Sequence, residues 1–132
     1  MPKSSYNHTV TVSEKDIDAL NHVNNVVYLQ YVQDAATAHW QHVAPIELQE
    51  KVVWMVRRHE IDYLRQALLG DMLTIKTWVG NYTAATWDRH YEIWRPADNQ
   101  IIVKAMSVWI PIDRQSMRVK RIDDMLKDCF LG

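Results

Sequence analysis

The spacing of apolar residues changes once along this chain, and that change limits the folds open to it. Between residues 26 and 43 the polar side chains recur at helical spacing on one stripe, while apolar side chains fill most of the remaining circumference. After Glu50 the period becomes two, and four runs rich in β-forming residues follow. The runs are residues 52–64, 72–81, 84–95 and 101–113. The pattern predicts an α+β protein with one long, deeply buried helix.

Short connections between the runs predict how they are joined. Turn signals at residues 70–71, 81–83 and 96–99 are brief enough for antiparallel hairpins, so the four runs are expected to form a meander. Residues 7–13 alternate as a further, half-exposed strand ahead of the helix. Pro45 should end the long helix, and residues 122–130 should form a closing helix with Asp123 and Asp124 in its first turn. The economical packing lays the helix across one five-stranded antiparallel sheet.

A lone five-stranded sheet leaves two open edges, which favour pairing with another chain. The sequence therefore predicts a homodimer or a dimer of dimers. The 132 residues are expected to form a single domain spanning 1–132.

Composition excludes several classes of partner. The formal charge of −1 does not favour nucleic acid, and no run approaches the ~18 apolar residues of a membrane span. The only cysteine, Cys129, has no partner for an intrachain disulfide, and the N-terminus lacks an apolar signal segment. A cytoplasmic location without membrane contact is expected. Residues 114–121 carry four cationic groups and no acid, which indicates a solvated surface or, alternatively, a phosphate-binding edge.

A polar loop directly precedes the long helix. It contains two carboxylates, an imidazole and two amides, on Asp16, Asp18, His22, Asn24 and Asn25. The first N–H groups of a helix have no intrahelical acceptor, so a helix start is suited to bind or stabilise negative charge. Asn24 or Asn25 is expected to cap the helix. Function is expected here.

The spacing Asp16-x-Asp18-x-x-Asn21-His22-Val23-Asn24-Asn25-x-x-Tyr28 resembles the signature of hotdog-fold acyl-CoA thioesterases of the 4-hydroxybenzoyl-CoA thioesterase type. The resemblance implies a hotdog fold, a sheet continued across a dimer, and hydrolysis of a fatty or aromatic acyl-CoA thioester. By the same resemblance, Asp18 corresponds to the catalytic carboxylate, and His22 with Asn24 or Asn25 to its companions. One position departs from it, because Asn21 stands where relatives commonly have glycine. Asparagine also adopts left-handed backbone conformations.

Thioester hydrolysis needs an activated water or a nucleophile, together with donors for the developing oxyanion. We expect Asp18 to act as general base or to attack directly, giving a short-lived anhydride. The N–H groups between Asn24 and Val26 would then bind the carbonyl oxygen. His22 either assists or is hydrogen-bonded within the loop. Asp16 is expected to hold the loop. Tyr28 is a candidate substrate contact, although a core position is the simpler interpretation.

Three arginines, Arg57, Arg58 and Arg89, are candidates for binding the CoA phosphates, because guanidinium binds phosphate bidentately. No cofactor is expected beyond the coenzyme A of the substrate. No metal is expected either, since His39 and His42 supply only two ligands. The tryptophans are expected in the core and at interfaces, or along a tunnel for an aromatic or medium-length acyl group.

Two other functions stay open. A non-enzymatic hotdog protein could bind an acyl thioester as a sensor or carrier, with Asp18 serving a structural role. A hotdog dehydratase or hydratase is disfavoured, because Gly70-Asp71 is followed by Met-Leu rather than Asn-Pro. Serine and cysteine acyl-enzymes are disfavoured because no nucleophile elbow or cysteine motif is present.

Overall fold

The computed structural model describes residues 4–132 and contains five strands and three α-helices. In chain order they are β1 (Ser5–Thr11), a 3₁₀ turn (Glu14–Asp16), α1 (Asn25–Val43), α2 (Ile46–Lys51), β2 (Val52–Tyr63), β3 (Met72–Tyr82), β4 (Trp87–Arg95), β5 (Gln100–Asp113) and α3 (Asp124–Leu131). The predicted strands, long helix and closing helix are all present, with ends shifted by up to three residues. The short helix α2 was not predicted, because six residues carry too little periodicity to be recognised.

All strand pairs are antiparallel, and the order across the sheet is β1-β3-β4-β5-β2. The predicted four-stranded meander is wrong in one respect. Strands β3, β4 and β5 follow one another as hairpins, but β2 pairs with β5 at the far edge. Residues 64–71 therefore cross the end of the sheet instead of closing a hairpin. Their route is fixed by burial, because Ala67 is fully buried and its N–H donates to the hydroxyl of Tyr28 in α1.

Helix α1 lies across one face of the sheet and is buried on several sides, as its sequence predicted. Tyr28, Val32 and Ala35 pack against strand residues that alternate inward, among them Leu73 and Ile75 of β3, both fully buried. Nineteen residues give the helix a length of ~28 Å. It therefore joins two separate environments, one at each end of the sheet.

The two ends of α1 pack differently. Near its start the core consists of aliphatic side chains and tyrosines. Near its end, Trp40, Trp87 and Phe130 form an aromatic cluster with α2 and α3. Pro45 ends α1 as predicted. Helix α3 starts one residue later than Asp123, which is its N-cap and accepts a hydrogen bond from the Leu126 N–H.

The outer strands of the sheet are β1 and β2, and β2 is twelve residues long. In residues 4–132 neither strand has a partner on its outer side, so a sheet continued across a dimer stays a prediction. Within the same residues, no helix is long and apolar enough to cross a membrane.

Candidate active site

Residues 16–24 form a closed loop at the start of α1. The Asp18 N–H donates to the His22 carbonyl at 2.8 Å, and the Asn24 N–H donates to the Asp16 carbonyl at 2.9 Å. Asn21 has a φ of 62°, the left-handed conformation expected at this position. The loop thus brings together Asp18, His22 and the helix N-terminus, as the sequence indicated.

The Asp18 side chain is exposed and anchored at one oxygen. Its Oδ1 accepts the Leu20 N–H at 2.9 Å and the His22 N–H at 3.2 Å. Its Oδ2 accepts no hydrogen bond from the part of the chain that the structure describes. One carboxylate oxygen therefore holds the turn, and the other is available to a water or a substrate. His22 is half-buried and is tied to Asp18 through its backbone N–H, while its backbone is also bridged to Leu68.

The neighbouring carboxylate, Asp16, is buried and holds the loop from within, as expected. Its Oδ2 accepts hydrogen bonds from the Ser13 N–H (3.1 Å), the Ser13 hydroxyl (3.1 Å) and the Tyr31 hydroxyl (2.9 Å). Burial acts to raise the pKa of Asp16, but these hydrogen bonds outweigh it and leave that pKa below its usual value. Burial is the main cause that raises the pKa of Tyr31, and the hydrogen bond to Asp16 raises it further, so the hydroxyl stays protonated.

The start of α1 leaves two backbone donors free. Asn24 occupies the N-cap position, as predicted, but its side chain makes no capping hydrogen bond. The Val27 N–H turns back to the Asn24 carbonyl at 2.8 Å instead. Among residues 4–132, the N–H groups of Asn25 and Val26 have no acceptor. These donors lie where an oxyanion would be stabilised by the partial positive charge of the helix start.

The segment between β2 and β3 covers this helix start. Tyr28 is 1% exposed, and its hydroxyl accepts the Ala67 N–H at 3.0 Å. The Tyr63 hydroxyl donates to the Asn25 carbonyl at 3.3 Å. Tyr28 therefore lies in the core beneath the site, and its role as a substrate contact stays a prediction. Sequence reasoning missed Ala67 and Leu68 as neighbours of the loop, because no local spacing connects residues forty positions apart.

Exposed apolar side chains surround the loop. We call Leu20, Val26, Leu68 and Leu69 the apolar rim; their exposed fractions are 73%, 67%, 44% and 47%. Exposed apolar groups gathered beside polar ones are typical of binding surfaces. Val26, a predicted substrate contact, belongs to this rim and lies at the helix start with the free N–H groups.

The three predicted phosphate ligands do not join this loop. Arg57 is the extra residue of a bulge in β2, and Arg58 is ion-paired with Glu60 on the same strand. Five residues of extended strand separate Arg58 from Tyr63, a distance of ~17 Å. Arg89 is 5% exposed and lies inside the fold, near the other end of α1. Their roles stay predictions.

A cavity of about 690 Å³ lies beside the C-terminal half of α1, bounded by β2, β4, β5 and α3. Trp40, Trp54, Trp87 and Trp109 line it. Three of these belong to strands and come together only through the sheet. His39 lies nearby and its Nδ1 contacts the Arg89 guanidinium. Within the described part of the chain, no cluster of three or more metal-ligating side chains is found.

Comparison with known proteins agrees with this architecture. A family model described as the Thioesterase-like superfamily matches residues 12–130. A 1,4-dihydroxy-2-naphthoyl-CoA thioesterase from Synechocystis superposes with a TM-score of 0.83 at 15% identity, covering 96% of this chain and 95% of that one. A 4-hydroxybenzoyl-CoA thioesterase variant complexed with 4-hydroxybenzoyl-CoA gives 0.85 at 12%, covering 96% and 99%. These structures show that the fold is the hotdog fold.

A relative by sequence is the chloroplastic acyl-[acyl-carrier-protein] hydrolase FATB3 of Cuphea viscosissima, 25% identical over 76 residues. That match covers 58% of this chain and 18% of the relative, so the chain spans less than a fifth of that protein's length. The 4-hydroxybenzoyl-CoA thioesterase subtype stays a prediction. The family model covers nearly the whole chain, and on that match the protein belongs to the Thioesterase-like superfamily.

Proposed function

We propose that this protein hydrolyses the thioester of a fatty or aromatic acyl-CoA, releasing the free acid and coenzyme A. Asp18 acts as general base toward water or as nucleophile, and the N–H groups of Asn25 and Val26 receive the carbonyl oxygen. The observation that carries the proposal is a half-anchored carboxylate in the closed loop that leads into a helix start with two unpaired N–H groups. These are the two elements that acyl transfer to water requires.

The surroundings support an acyl thioester as the substrate. The apolar rim offers an apolar acyl group a surface beside the two donors. Several structural neighbours are thioesterases that act on acyl-CoA, and a neighbour from Staphylococcus aureus, 18% identical, was solved in complex with CoA. His22 is available to assist Asp18 or to protonate the departing thiolate. Arg57 and Arg58 are the exposed candidates for the CoA phosphates.

Replacing Asp18 by asparagine tests the assignment. The amide oxygen of Asp18→Asn still accepts both backbone N–H groups, so the loop is kept while the base is lost. We expect kcat for acyl-CoA hydrolysis to fall by ~10²–10⁴-fold, the usual contribution of a general base. A thiol-detecting assay with a panel of acyl-CoAs measures it. Asp128→Asn is the matched control, because Asp128 is an exposed acid on α3, outside both the loop and β2.

Two outcomes would redirect the interpretation. Turnover by Asp18→Asn within a few fold of the unchanged protein would remove Asp18 from the chemistry. Tight binding of acyl-CoA with no turnover of any member of the panel would favour the sensor or carrier, in which the two bonds of Asp18 serve only the loop. The name of the Cuphea relative suggests acyl-acyl carrier protein as an alternative substrate. Parallel assays with acyl-acyl carrier protein and acyl-CoA decide which of the two thioesters is hydrolysed.

We further propose that β2 pairs with β2 of a second copy. The strand presents twelve residues at the sheet edge, and long open edges are normally paired or protected. Light scattering coupled to size exclusion measures the mass in solution. A mass of one chain, at a concentration where the protein is active, would refute the pairing.

A further inference from the structure

The cavity beside the C-terminal half of α1 has an apolar wall and a buried charge. Four tryptophans and Phe130 form the apolar part of the wall, and Glu50, Asp88 and Arg114 are among its polar residues. Its volume of about 690 Å³ falls in the range of roughly 300–1,000 Å³ typical of small-molecule sites. Ala36, the earliest α1 residue in its wall, is eleven residues along the helix from Asn25, or ~16 Å. The cavity is therefore separate from the Asp18 loop of the same chain.

The charge belongs to Arg89, which lines the cavity and is 5% exposed. Its Nη1 donates to His39 Nδ1 at 2.8 Å and to Thr77 Oγ1 at 3.0 Å, and both acceptors lack a negative charge. The guanidinium carbon lies 5.4 Å from the ring centroid of Phe130. Burial lowers the pKa of Arg89 to about 10, so the group stays cationic at neutral pH.

No carboxylate in residues 4–132 forms an ion pair with this cation. Glu50 and Asp88 belong to the cavity wall, but neither forms an ion pair with Arg89 in that part of the chain. Buried charges are normally paired, because an isolated one loses its hydration without compensation. The Nε and Nη2 groups of Arg89 also have no acceptor among the described residues. In the same wall, the buried Nε1 of Trp54 has none either. The wall thus has unused donors and a positive charge without an ion-pair partner.

We propose that this cavity is a second ligand site, which binds a free apolar carboxylic acid with its carboxylate on Arg89 and its chain or ring against the tryptophans. Guanidinium binds carboxylate through two parallel hydrogen bonds, and Nε with Nη2 provides such a pair. A neutral acyl tail would leave the cation unpaired. The proposal does not depend on hydrolysis at Asp18, although the acid released there belongs to the class the cavity suits.

Paired ligands of equal shape test the proposal without any turnover measurement. Octanoate is compared with 1-octanol, and 3-phenylpropionate with 3-phenylpropanol, at pH 7.5. Binding is followed by calorimetry and by the fluorescence of the lining tryptophans. We expect each acid to bind at least tenfold more tightly than its alcohol. Equal affinity of acid and alcohol, or no binding of the acids at millimolar concentration, would overturn the proposal.

Arg89→Met identifies the group responsible. It removes the cation while keeping most of the side-chain volume, so the preference for acid over alcohol should fall to about one. Arg114→Met is the matched control on the exposed rim and should keep the preference. A preference retained in Arg89→Met, or lost in Arg114→Met, would overturn the assignment to Arg89. Should Arg89→Met not fold, Arg89→Lys, which keeps the charge without the fork, is expected to retain part of the preference.

Discussion

The hydrogen bond from Tyr31 to Asp16 should contribute measurably to the stability of the loop that carries Asp18. Tyr31→Phe removes one hydroxyl and leaves the ring, which is 5% exposed and packs edge-on against Tyr28. The hydroxyl donates to a buried carboxylate at 2.9 Å. Water has little access to replace it there. Hydrogen bonds to charged groups contribute ~1.5–3 kcal/mol, so the free energy of unfolding should fall by about that amount at pH 7.

The corresponding change in unfolding temperature follows from the chain length. At ~2.1 cal/mol/K per residue, 132 residues have an unfolding entropy of ~0.28 kcal/mol/K. The expected loss is then ~5–11 °C in a thermal scan, with urea unfolding giving the free energy directly. Tyr63→Phe is the control. Its hydroxyl makes a longer bond of 3.3 Å from a ring that is 41% exposed, so water replaces it and the loss should stay below ~0.5 kcal/mol.

The pH dependence provides a second check on the same bond. The pKa of Asp16 is lowered in the folded protein, so its carboxylate stabilises the fold fully above the unfolded pKa of ~3.9. That stabilisation is lost as the pH falls through the folded pKa. The deficit of Tyr31→Phe should therefore be largest near pH 7 and shrink at pH 3.5. A deficit at pH 7 no larger than that of Tyr63→Phe, or one unchanged by acid, would refute the reasoning.

Two further substitutions probe other parts of the fold. Burial lowers the pKa of His59, so protons bind the unfolded state more strongly and stability should fall as the pH drops below ~6.5. In His59→Gln the free energy of unfolding should therefore depend less steeply on pH between pH 7 and 5. An unchanged slope would contradict this. Gly70 has a φ of 86° with open space around it. Gly70→Ala should therefore lower the free energy of unfolding by ~1–2 kcal/mol through backbone strain alone, as measured by urea unfolding. A neutral effect would show that the segment between β2 and β3 relaxes.

The sequence determined which elements form. The change of period after Glu50 separated helix from strands, and Pro45 marked the end of α1, because these signals depend on neighbouring residues alone. The spacing from Asp16 to Tyr28 located the loop, and Asn21 in its left-handed conformation shows that the local backbone follows its local sequence. Membership of the Thioesterase-like superfamily was accessible through the same residues.

Only the tertiary structure decided which elements meet. Strand β2 pairs with β5 and not with β3, because burial of Ala67 under Tyr28 carries the connecting segment across the helix start. Arg57, Arg58 and Arg89 looked equivalent in the sequence, yet two lie on an edge strand and one is buried in the wall of the tryptophan-lined cavity. The physical reason is that pairing and burial depend on contacts between residues distant in the chain. Periodicity records which face of an element is apolar, but not which partner covers it.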